Sequence, residues 1–409
     1  MTPWPALLEG TLRQRALALV EAERAATRLA PAGSPAFVSS GTAGLALLHG
    51  YWFLQHGDDD SAADAAFELA EQAIEHGGSL PLELYAGVVG VGWVAHHLAG
   101  RVWPANESGD DDPLASLDEA VLAAVSDGPW TGSFDLLQGL VGLGVFALSR
   151  SRPDGDGAAR LVAVLAELAE TIDGGMAWRT RPEHIGADVA RRYPQGTWNL
   201  GAAHGLPGVI WFLAQCARGT ALRPRVVPLL TRAVDWLLAQ ELEVSAGNGF
   251  PGYLGAGSAA AEPPKPWFRP SWCYADVGLV LPLLSAAAVL ESDRVTAAAQ
   301  RIARRVGGFR HDGSWELDPS LCHGSSGLAL ICRRLWQVTG DELFAESARY
   351  WATRTVEIME QGFPGLTHGV LMGSTGAALG LLALCGTVPP AWDALMLMSD
   401  VVLPAEAPR

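Results

Sequence analysis

The chain has 409 residues, of which 49% are hydrophobic and 18% are charged, so it can build a large core and is not a disordered protein. Its formal net charge of −16 excludes a general nucleic-acid binder, because such a surface repels phosphate groups. Five cysteines, an odd number in a long chain, argue against a disulfide framework and predict a reducing, cytoplasmic setting.

One short pattern, two small residues three apart followed by an apolar run, occurs seven times at intervals of 46 to 70 residues. Each interval also holds an Ala- and Leu-rich stretch of helical period, such as "RLVAVLAELAETI". The pattern predicts seven helical hairpins in one domain over residues 1–409, closed into a ring with the amphipathic helices outside and the glycine-led helices buried. The pairs are Gly41/Gly44, Gly87/Gly90, Gly139/Gly142, Gly205/Gly208, Ala275/Gly278, Gly324/Gly327 and Gly373/Gly376.

The small residues also predict local structure. Without a Cβ, two glycines on the first turn of a helix allow another backbone to approach closely, and we expect them to leave the amide groups there accessible to a ligand. The longest irregular stretch before a motif, 173–198, is predicted to be an insertion near the cleft that grips substrate. Only small insertions of this kind are expected to contain strands. The uncharged stretch 362–392 is long enough to span a membrane, but Gly, Ser and Thr interrupt it, so we predict no span and no signal peptide.

Residues that bind metals or carry protons stand just before four of the apolar runs: His204, Cys273, Cys322 with His323, and His368. If the buried helices all start at one end of the ring, these side chains converge there. Two cysteines and a histidine form a tetrahedral zinc set with one vacant position, which favours an open catalytic site. A closed structural site is the alternative, with His204 or His368 as the fourth ligand. The remaining cysteines, Cys216, Cys332 and Cys385, are predicted core residues.

The ligand types narrow the chemistry of such a zinc site. Two thiolates cancel the charge of Zn²⁺, so the metal acidifies water poorly. A third, substrate thiol would become an electron-rich thiolate when bound, which overcomes its ordinary pKa of about 8.5. The set therefore predicts activation of a substrate thiol as a nucleophile. An alcohol dehydrogenase uses the same ligand types, but that interpretation needs a nicotinamide site, and no such motif is visible.

Four motifs together resemble the lanthionine synthetase C family, the cyclases of lanthipeptide biosynthesis: "FDLLQGLVGLG" (134–144), "AHGLPG" (203–208), "RPSWCYADVG" (269–278) and "CHGSSG" (322–327). The resemblance implies an all-α fold, an α/α toroid with a central zinc. It also implies that a peptide cysteine adds to dehydroalanine or dehydrobutyrine to give lanthionine or methyllanthionine. Residue by residue, it implies the zinc ligands Cys273, Cys322 and His323, and the catalytic residues Asp135, His204, Arg269 and Tyr274.

These roles are chemically sensible, because thiol addition generates an enolate that must be protonated. His204 is the predicted acid and base, Asp135 its orienting partner, and Arg269 the group that stabilises the enolate oxygen. Plainer interpretations stay open for each. Asp135 is also a candidate helix cap, His204 a packed core histidine, and Arg269 an ordinary ion-pair partner.

The resemblance also predicts the partners and the location. The substrate is a dehydrated precursor peptide with a leader and a core rich in Ser, Thr and Cys. Dehydration is assigned to a separate protein because the chain has no room for dehydratase modules, and an exporter is a further candidate partner. The protein is expected in the cytoplasm, with a peripheral place in a membrane-associated complex left open. Two departures stand out, Ala275 where the family usually has glycine and Val277 where it has proline.

Three other functions compete with this prediction. The first is that the chain adds glutathione, and not a peptide cysteine, to dehydrated residues of damaged proteins, as some proteins of the resembled family do. A non-catalytic peptide-binding scaffold with a structural zinc is the second alternative, although it would need neither Asp135 nor His204. An α/α toroid glycosidase is the third, and it would require two carboxylates facing a cleft, with Asp135 and Asp276 as the candidates.

Overall fold

A computed structural model describes residues 4–31, 33–104, 112–150, 155–257 and 263–399. Within these ranges the chain forms fifteen α-helices, two short 3₁₀ helices and five strands of two or three residues. The α-helices are α1 Gly10–Thr27, α2 Thr42–His56, α3 Asp60–Gly77, α4 Val88–Leu98, α5 Ala115–Ala124, α6 Leu140–Arg150, α7 Asp156–Leu168, α8 Ala187–Arg192, α9 Leu206–Cys216, α10 Arg223–Leu238, α11 Ala275–Leu290, α12 Asp293–Gly307, α13 Ser325–Thr339, α14 Glu342–Gln361 and α15 Ser374–Cys385.

The seven predicted glycine-led helices are α2, α4, α6, α9, α11, α13 and α15, and each begins at or directly after the first small residue of its motif. They are mostly buried, and every residue of α9 and α15 is buried, whereas α13 also carries Arg333 and Arg334. The alternating helices are amphipathic. In α12, for example, Val295, Ala299 and Ile302 are buried, while Arg294, Arg301 and Arg304 are exposed. The predicted division into buried and amphipathic helices is therefore confirmed.

The chain before each glycine-led helix folds into a turn that we call the pre-helix turn. It comprises the first small residue of the motif and the six residues before it, as in 318–324. In five of the seven turns the first carbonyl accepts a hydrogen bond from the first helical N–H, for example from Ser325 N to Asp318 O at 2.9 Å. The start of a helix has unpaired N–H groups, and here the protein's own backbone pairs them. For these five helices the expectation of ligand-accessible amide groups was therefore wrong. Equivalent bonds join Thr42 to Pro35, Val88 to Pro81, Leu140 to Ser133 and Ser374 to Thr367.

In five of the seven motifs the second small residue shows why the pattern requires glycine. A Cβ at Gly90 would overlap the carbonyl oxygen of Leu84, six residues earlier, and would press on the side chain of Val38. Only a residue without a side chain lets the pre-helix turn lie this close to the helix. The same overlap with the residue six earlier would occur at Gly44, Gly278, Gly327 and Gly376.

The chain divides into two compact units. The first unit comprises Met1–Leu117 and Arg310–Asp393. In it α2 packs on α3, α13 on α14, and α15 on α1, so that the helix nearest the chain's start completes the hairpin nearest its end. A backbone hydrogen bond from Leu7 N to Leu384 O and a side-chain bond from the Trp4 indole to Ala383 O, both 2.8 Å, fix that pairing.

Backbone bonds also join the pre-helix turns of the first unit to one another. Cys322 N donates to Leu371 O at 2.9 Å, and Leu371 N in turn donates to Ser39 O at 3.2 Å. Ser39 N continues the series to Tyr85 O at 3.0 Å. The turns before α13, α15, α2 and α4 therefore lie at the same end of this unit, as the sequence predicted.

The second unit comprises Asp118–Phe309 and Ala394–Arg409. In it α6 packs on α7, α9 on α10 and α11 on α12, and α9 also contacts α6 and α11. Leu136 N donates to Ala203 O at 3.2 Å, and Gly201 lies against the carbonyl of Cys273, so the three pre-helix turns again meet at one end.

The strands all belong to small insertions in the second unit. β1 (Glu170–Ile172) pairs antiparallel with β2 (Gly175–Ala177). β3 (Arg179–Thr180), β4 (Thr197–Asn199) and β5 (Tyr253–Gly255) form an antiparallel sheet in that order. The insertion predicted at 173–198 thus contributes β2, β3, a 3₁₀ helix (Pro182–His184), α8 and part of β4, and it runs into the turn before α9. Its contact with substrate stays a prediction, as does the single domain over residues 1–409.

Gly90→Ala tests the requirement for glycine in the motif. We expect it to destabilise the protein by about 3 kcal/mol, because the new methyl group must displace a backbone carbonyl inside a close-packed core. Gly78→Ala is the matched control, since Gly78 has a right-handed backbone and a Cβ there would have no neighbour within 4 Å. Urea unfolding followed by circular dichroism compares the variants. Equal midpoints for the two would contradict the explanation.

Candidate functional site

All the predicted site residues lie in the pre-helix turns, and all but Asp135 and Arg269 occupy equivalent places there. Cys273 and Cys322 each stand two residues before the first small residue of their motif, and His204 and His323 each stand one before it. Asp135, His204, Cys273 and Tyr274 belong to the second unit, whereas Cys322 and His323 belong to the first.

His204 and Asp135 form a directly bonded pair between the turns before α9 and α6. The imidazole Nδ1 lies 2.6 Å from Asp135 Oδ2, while Asp135 Oδ1 accepts the backbone N–H of Gln138 at 2.8 Å. Asp135 therefore caps its own turn and orients the histidine at the same time. The carboxylate is 3% exposed and the imidazole 35% exposed, so the histidine can exchange a proton with a substrate while its partner is shielded from water.

The surroundings of His204 set its protonation. Burial lowers its pKa, but the hydrogen bond and charge of Asp135, together with the charge of Cys273, outweigh burial and leave the pKa raised above 6.5. The stabilisation linked to this pair is therefore fully present below about pH 6.5 and is lost as the pH rises through the raised pKa.

Asp135→Asn tests this account of His204. We expect the pKa of His204 to fall, because the variant loses the carboxylate charge while the ring stays buried. An NMR titration of the histidine rings measures the change. His49, whose pKa is lowered to about 4 chiefly by burial, lies in the first unit and should not move. An unchanged pKa for His204 would show that Asp135 does not control its protonation.

The turn before α11 carries Cys273 and Tyr274. Cys273 Sγ lies 3.6 Å from the hydroxyl oxygen of buried Ser271. The Tyr274 ring packs on Trp267 with centroids 4.4 Å apart, and Asn199 Nδ2 donates to its hydroxyl at 3.5 Å. These contacts hold the two side chains against the turn that bears His204.

Ala275 is the first of the two departures from the family pattern, and its backbone is unusual. Its φ is +56°, in the left-handed region that costs a residue with a Cβ about 1–2 kcal/mol and costs glycine little. A glycine in this position would fit without strain, which explains the family preference. In this chain the strained residue is Ala275 itself, which directly follows Tyr274. Nothing in the structure explains Val277 in place of proline.

Arg269 opens the turn before α11. Its backbone carbonyl accepts a hydrogen bond from Asn248 Nδ2 at 2.9 Å, and its guanidinium lies over the ring of Phe268 at 5.4 Å. Within the described residues it makes no ion pair, so the interpretation as an ordinary ion-pair partner gains no support. Its action on a substrate stays a prediction.

The turn before α13 presents Cys322 and His323. The backbone of Cys322 is fixed by its hydrogen bond to Leu371 O. Burial, followed by the negative charge of Cys322, raises the pKa of Tyr85 well above its usual value. His323 Nε2 lies 3.3 Å from Asp318 Oδ2, and both side chains are mostly buried.

The side chains of these turns include the donor types that zinc prefers, two thiols and an imidazole. No three His, Cys, Asp or Glu residues placed to hold a metal ion were found among the described residues, so the zinc set stays a prediction. The donor types do fit the ion, since they are two thiols and an imidazole with a carboxylate beside it. The two candidates for a fourth ligand both have carboxylate partners at Nδ1, His204 with Asp135 and His368 with Glu23 at 3.0 Å.

The remaining polar candidates have structural roles. Cys216, Cys332 and Cys385 are buried, as predicted, and burial raises the pKa of each thiol. Asp276 has no exposed surface, pairs with Arg305 and accepts the N–H groups of Gly249 and Phe250. Asp276 does not face a cleft, so it cannot be the second carboxylate that a glycosidase requires. The glycosidase interpretation is therefore wrong.

Sequence reasoning missed Asp318 and Asn199, which are equivalent residues. Each stands six before the first glycine of its motif, and its side chain accepts the N–H two residues later at 2.8 Å. Ser133 holds the same place and does the same at 3.2 Å. The signal was present in the sequence, since a turn-forming residue opens nearly every repeat. These turn-forming residues are Pro35, Pro81, Ser133, Asn199, Asp318 and Thr367. The turn before α11 opens instead on Arg269.

Comparison with known proteins now decides the family. The profile of the family described as "Lanthionine synthetase C-like protein" matches residues 35–397. The chain belongs to this family. It is also 23% identical over 260 residues to the nisin biosynthesis protein NisC of Lactococcus lactis subsp. lactis, a match that covers 60% of this chain and 59% of that protein.

A solved structure, "Nisin cyclase", resembles the chain with a TM-score of 0.75 at 20% identity, covering 95% of this chain and 98% of that one. At this identity the likeness shows the fold alone, and it confirms the predicted α/α toroid. None of the helices in the described ranges is long and apolar enough to cross a membrane.

Proposed function

We propose that this member of the lanthionine synthetase C-like family is a zinc-dependent peptide cyclase. Its substrate is a precursor peptide whose Ser and Thr residues a separate dehydratase has dehydrated. It joins a cysteine of that peptide to dehydroalanine or dehydrobutyrine, and forms lanthionine or methyllanthionine rings. The observation that carries the proposal is the bonded pair of His204 and buried Asp135 in a chain of this family.

The bond changes in this reaction balance without an oxidant. The cysteine sulfur bonds to the β-carbon of the dehydrated residue, and the π-electrons move to the carbonyl to give an enolate. The α-carbon then takes up a proton, while the thiol gives one up. Zinc, held by Cys273, Cys322 and His323, would supply the thiolate form of the substrate cysteine.

The protein's own side chains would transfer the thiol proton and stabilise the enolate charge. His204 donates from Nδ1 to Asp135, which leaves Nε2 to take the thiol proton and return it to the α-carbon. The raised pKa suits this return, because it favours the protonated ring that returns the proton. Arg269 would stabilise the enolate oxygen, and Tyr274 would line the site beside Cys273.

The zinc ligands are tested by metal content. The purified protein should hold one zinc per chain, and Cys273→Ala or Cys322→Ala should lose both the zinc and cyclisation, because two ligands are too few for an open site. Cys385→Ala, which removes a buried core thiol, is the control that keeps its zinc. Metal analysis by mass spectrometry decides. Full zinc in either ligand variant would mean that the ligands are misassigned.

His204→Asn separates catalysis from scaffolding. Asparagine keeps similar volume and a hydrogen bond, so fold, zinc content and peptide binding should persist. Cyclisation should slow by about 10²–10⁴-fold, because a proton relay acts only in the transition state. The control is His76→Asn, on the exposed face of α3.

The assay is thiol alkylation of a dehydrated precursor followed by mass spectrometry at matched zinc loading. Equal rates for wild type and His204→Asn would remove the histidine from the mechanism. If the wild type added supplied glutathione to the dehydrated residues and closed no ring, the peptide-cyclase assignment would be wrong.

A further inference from the structure

We propose that Asp318 is a positioning residue that orients His323 and fixes which ring nitrogen carries its proton. The inference rests on the proposed zinc site and extends it beyond its three ligands. Asp318 belongs to the first unit together with His323, five residues later in the same pre-helix turn.

The carboxylate of Asp318 is held in one orientation. Its Oδ1 accepts the N–H of Ser320 at 2.8 Å, and its backbone carbonyl accepts the N–H of Ser325 at 2.9 Å. The second oxygen, Oδ2, then faces His323 Nε2 at 3.3 Å. The side chains are 13% and 16% exposed, so little water competes for this ion-pair contact.

A carboxylate beside Nε2 selects one tautomer of a neutral imidazole. It favours the proton on Nε2 and thereby the lone pair on Nδ1, the nitrogen that can bind a metal. Histidines that bind metals commonly have such a partner, which raises their basicity and fixes the ring. Asp318 would therefore prepare His323 as a ligand through Nδ1.

The repeat supplies an internal comparison. Asn199 occupies the same place in the turn before α9 and accepts the N–H of Gly201 at the same 2.8 Å. The turn therefore needs only an acceptor oxygen, which an amide provides. His204, the equivalent of His323, has its carboxylate partner in another turn, at Asp135. The negative charge at Asp318 thus exceeds what the turn requires, and it lies where His323 can use it.

Asp318→Asn is the decisive variant. The amide oxygen can keep the bond to Ser320, but its NH₂ group would face Nε2 and favour the opposite tautomer, with the proton on Nδ1. We expect zinc affinity to fall about 10- to 100-fold, with the thermal midpoint of the zinc-free protein unchanged. The matched control is Asp312→Asn. Asp312 also accepts the N–H two residues later, from Ser314 at 2.9 Å, but its turn is exposed and holds no predicted zinc ligand. Its zinc affinity should not change.

Competition with a chromophoric zinc chelator measures the affinity of each variant. Asp318→Ser adds an independent arm, because Ser133 shows that a hydroxyl can serve the turn while it presents no amide to the ring. Serine should therefore weaken zinc binding less than asparagine does. A purely structural Asp318 predicts the reverse order, since asparagine preserves the turn better.

Each outcome decides between the two proposals. Equal zinc affinity for wild type and Asp318→Asn would overturn the positioning role and leave the proposed function intact. A loss of affinity matched by an equal loss in Asp312→Asn would also overturn it. A wild-type protein that binds no zinc at all would overturn the zinc site itself, and the role of Asp318 with it.

Discussion

The close approach of each pre-helix turn to the helix that follows is the constraint on which the rest of the structure depends. A carbonyl oxygen of the turn occupies the space where the Cβ of Gly90 and its equivalents would otherwise lie. Because the turn is so close, its carbonyls pair the N–H groups that a helix start leaves unpaired. A buried helix that begins in this way needs neither solvent nor a side-chain cap, so it can be apolar on all sides.

The same pre-helix turns also carry the side chains of the candidate site. Their backbone is fixed on both sides, by the helix that follows and by the neighbouring turn, so the residues one and two places before the motif project from a rigid support. His204, Cys273, Cys322 and His323 all occupy those two places. A site built on rigid elements holds its groups more precisely than one built on free loops. The motif that makes the fold is therefore also the device that arranges the candidate site.

Much of this could be predicted from the sequence, because glycine spacing and helical period are local signals. The seven buried helices and the equivalent places of the two cysteines followed from counting residues. The partner of His204 followed only from the family resemblance, since Asp135 lies 69 residues away. What could not be predicted depends on backbone conformation and on contacts between turns. The left-handed backbone of Ala275, the burial of Asp276 against Arg305 and the contact between Asp318 and His323 carry no periodic signature.

The pairing of α1 with α15 has a consequence for the order in which the protein assembles. The second unit draws nearly all of its helices from one continuous stretch, so it can fold as soon as that stretch has been synthesised. The first unit cannot, because α1 must wait for a helix that leaves the ribosome more than 300 residues later. During that interval the face of α1 that packs on α15 has no native neighbour there. In this chain, the unit that carries Cys322 and His323 is completed last.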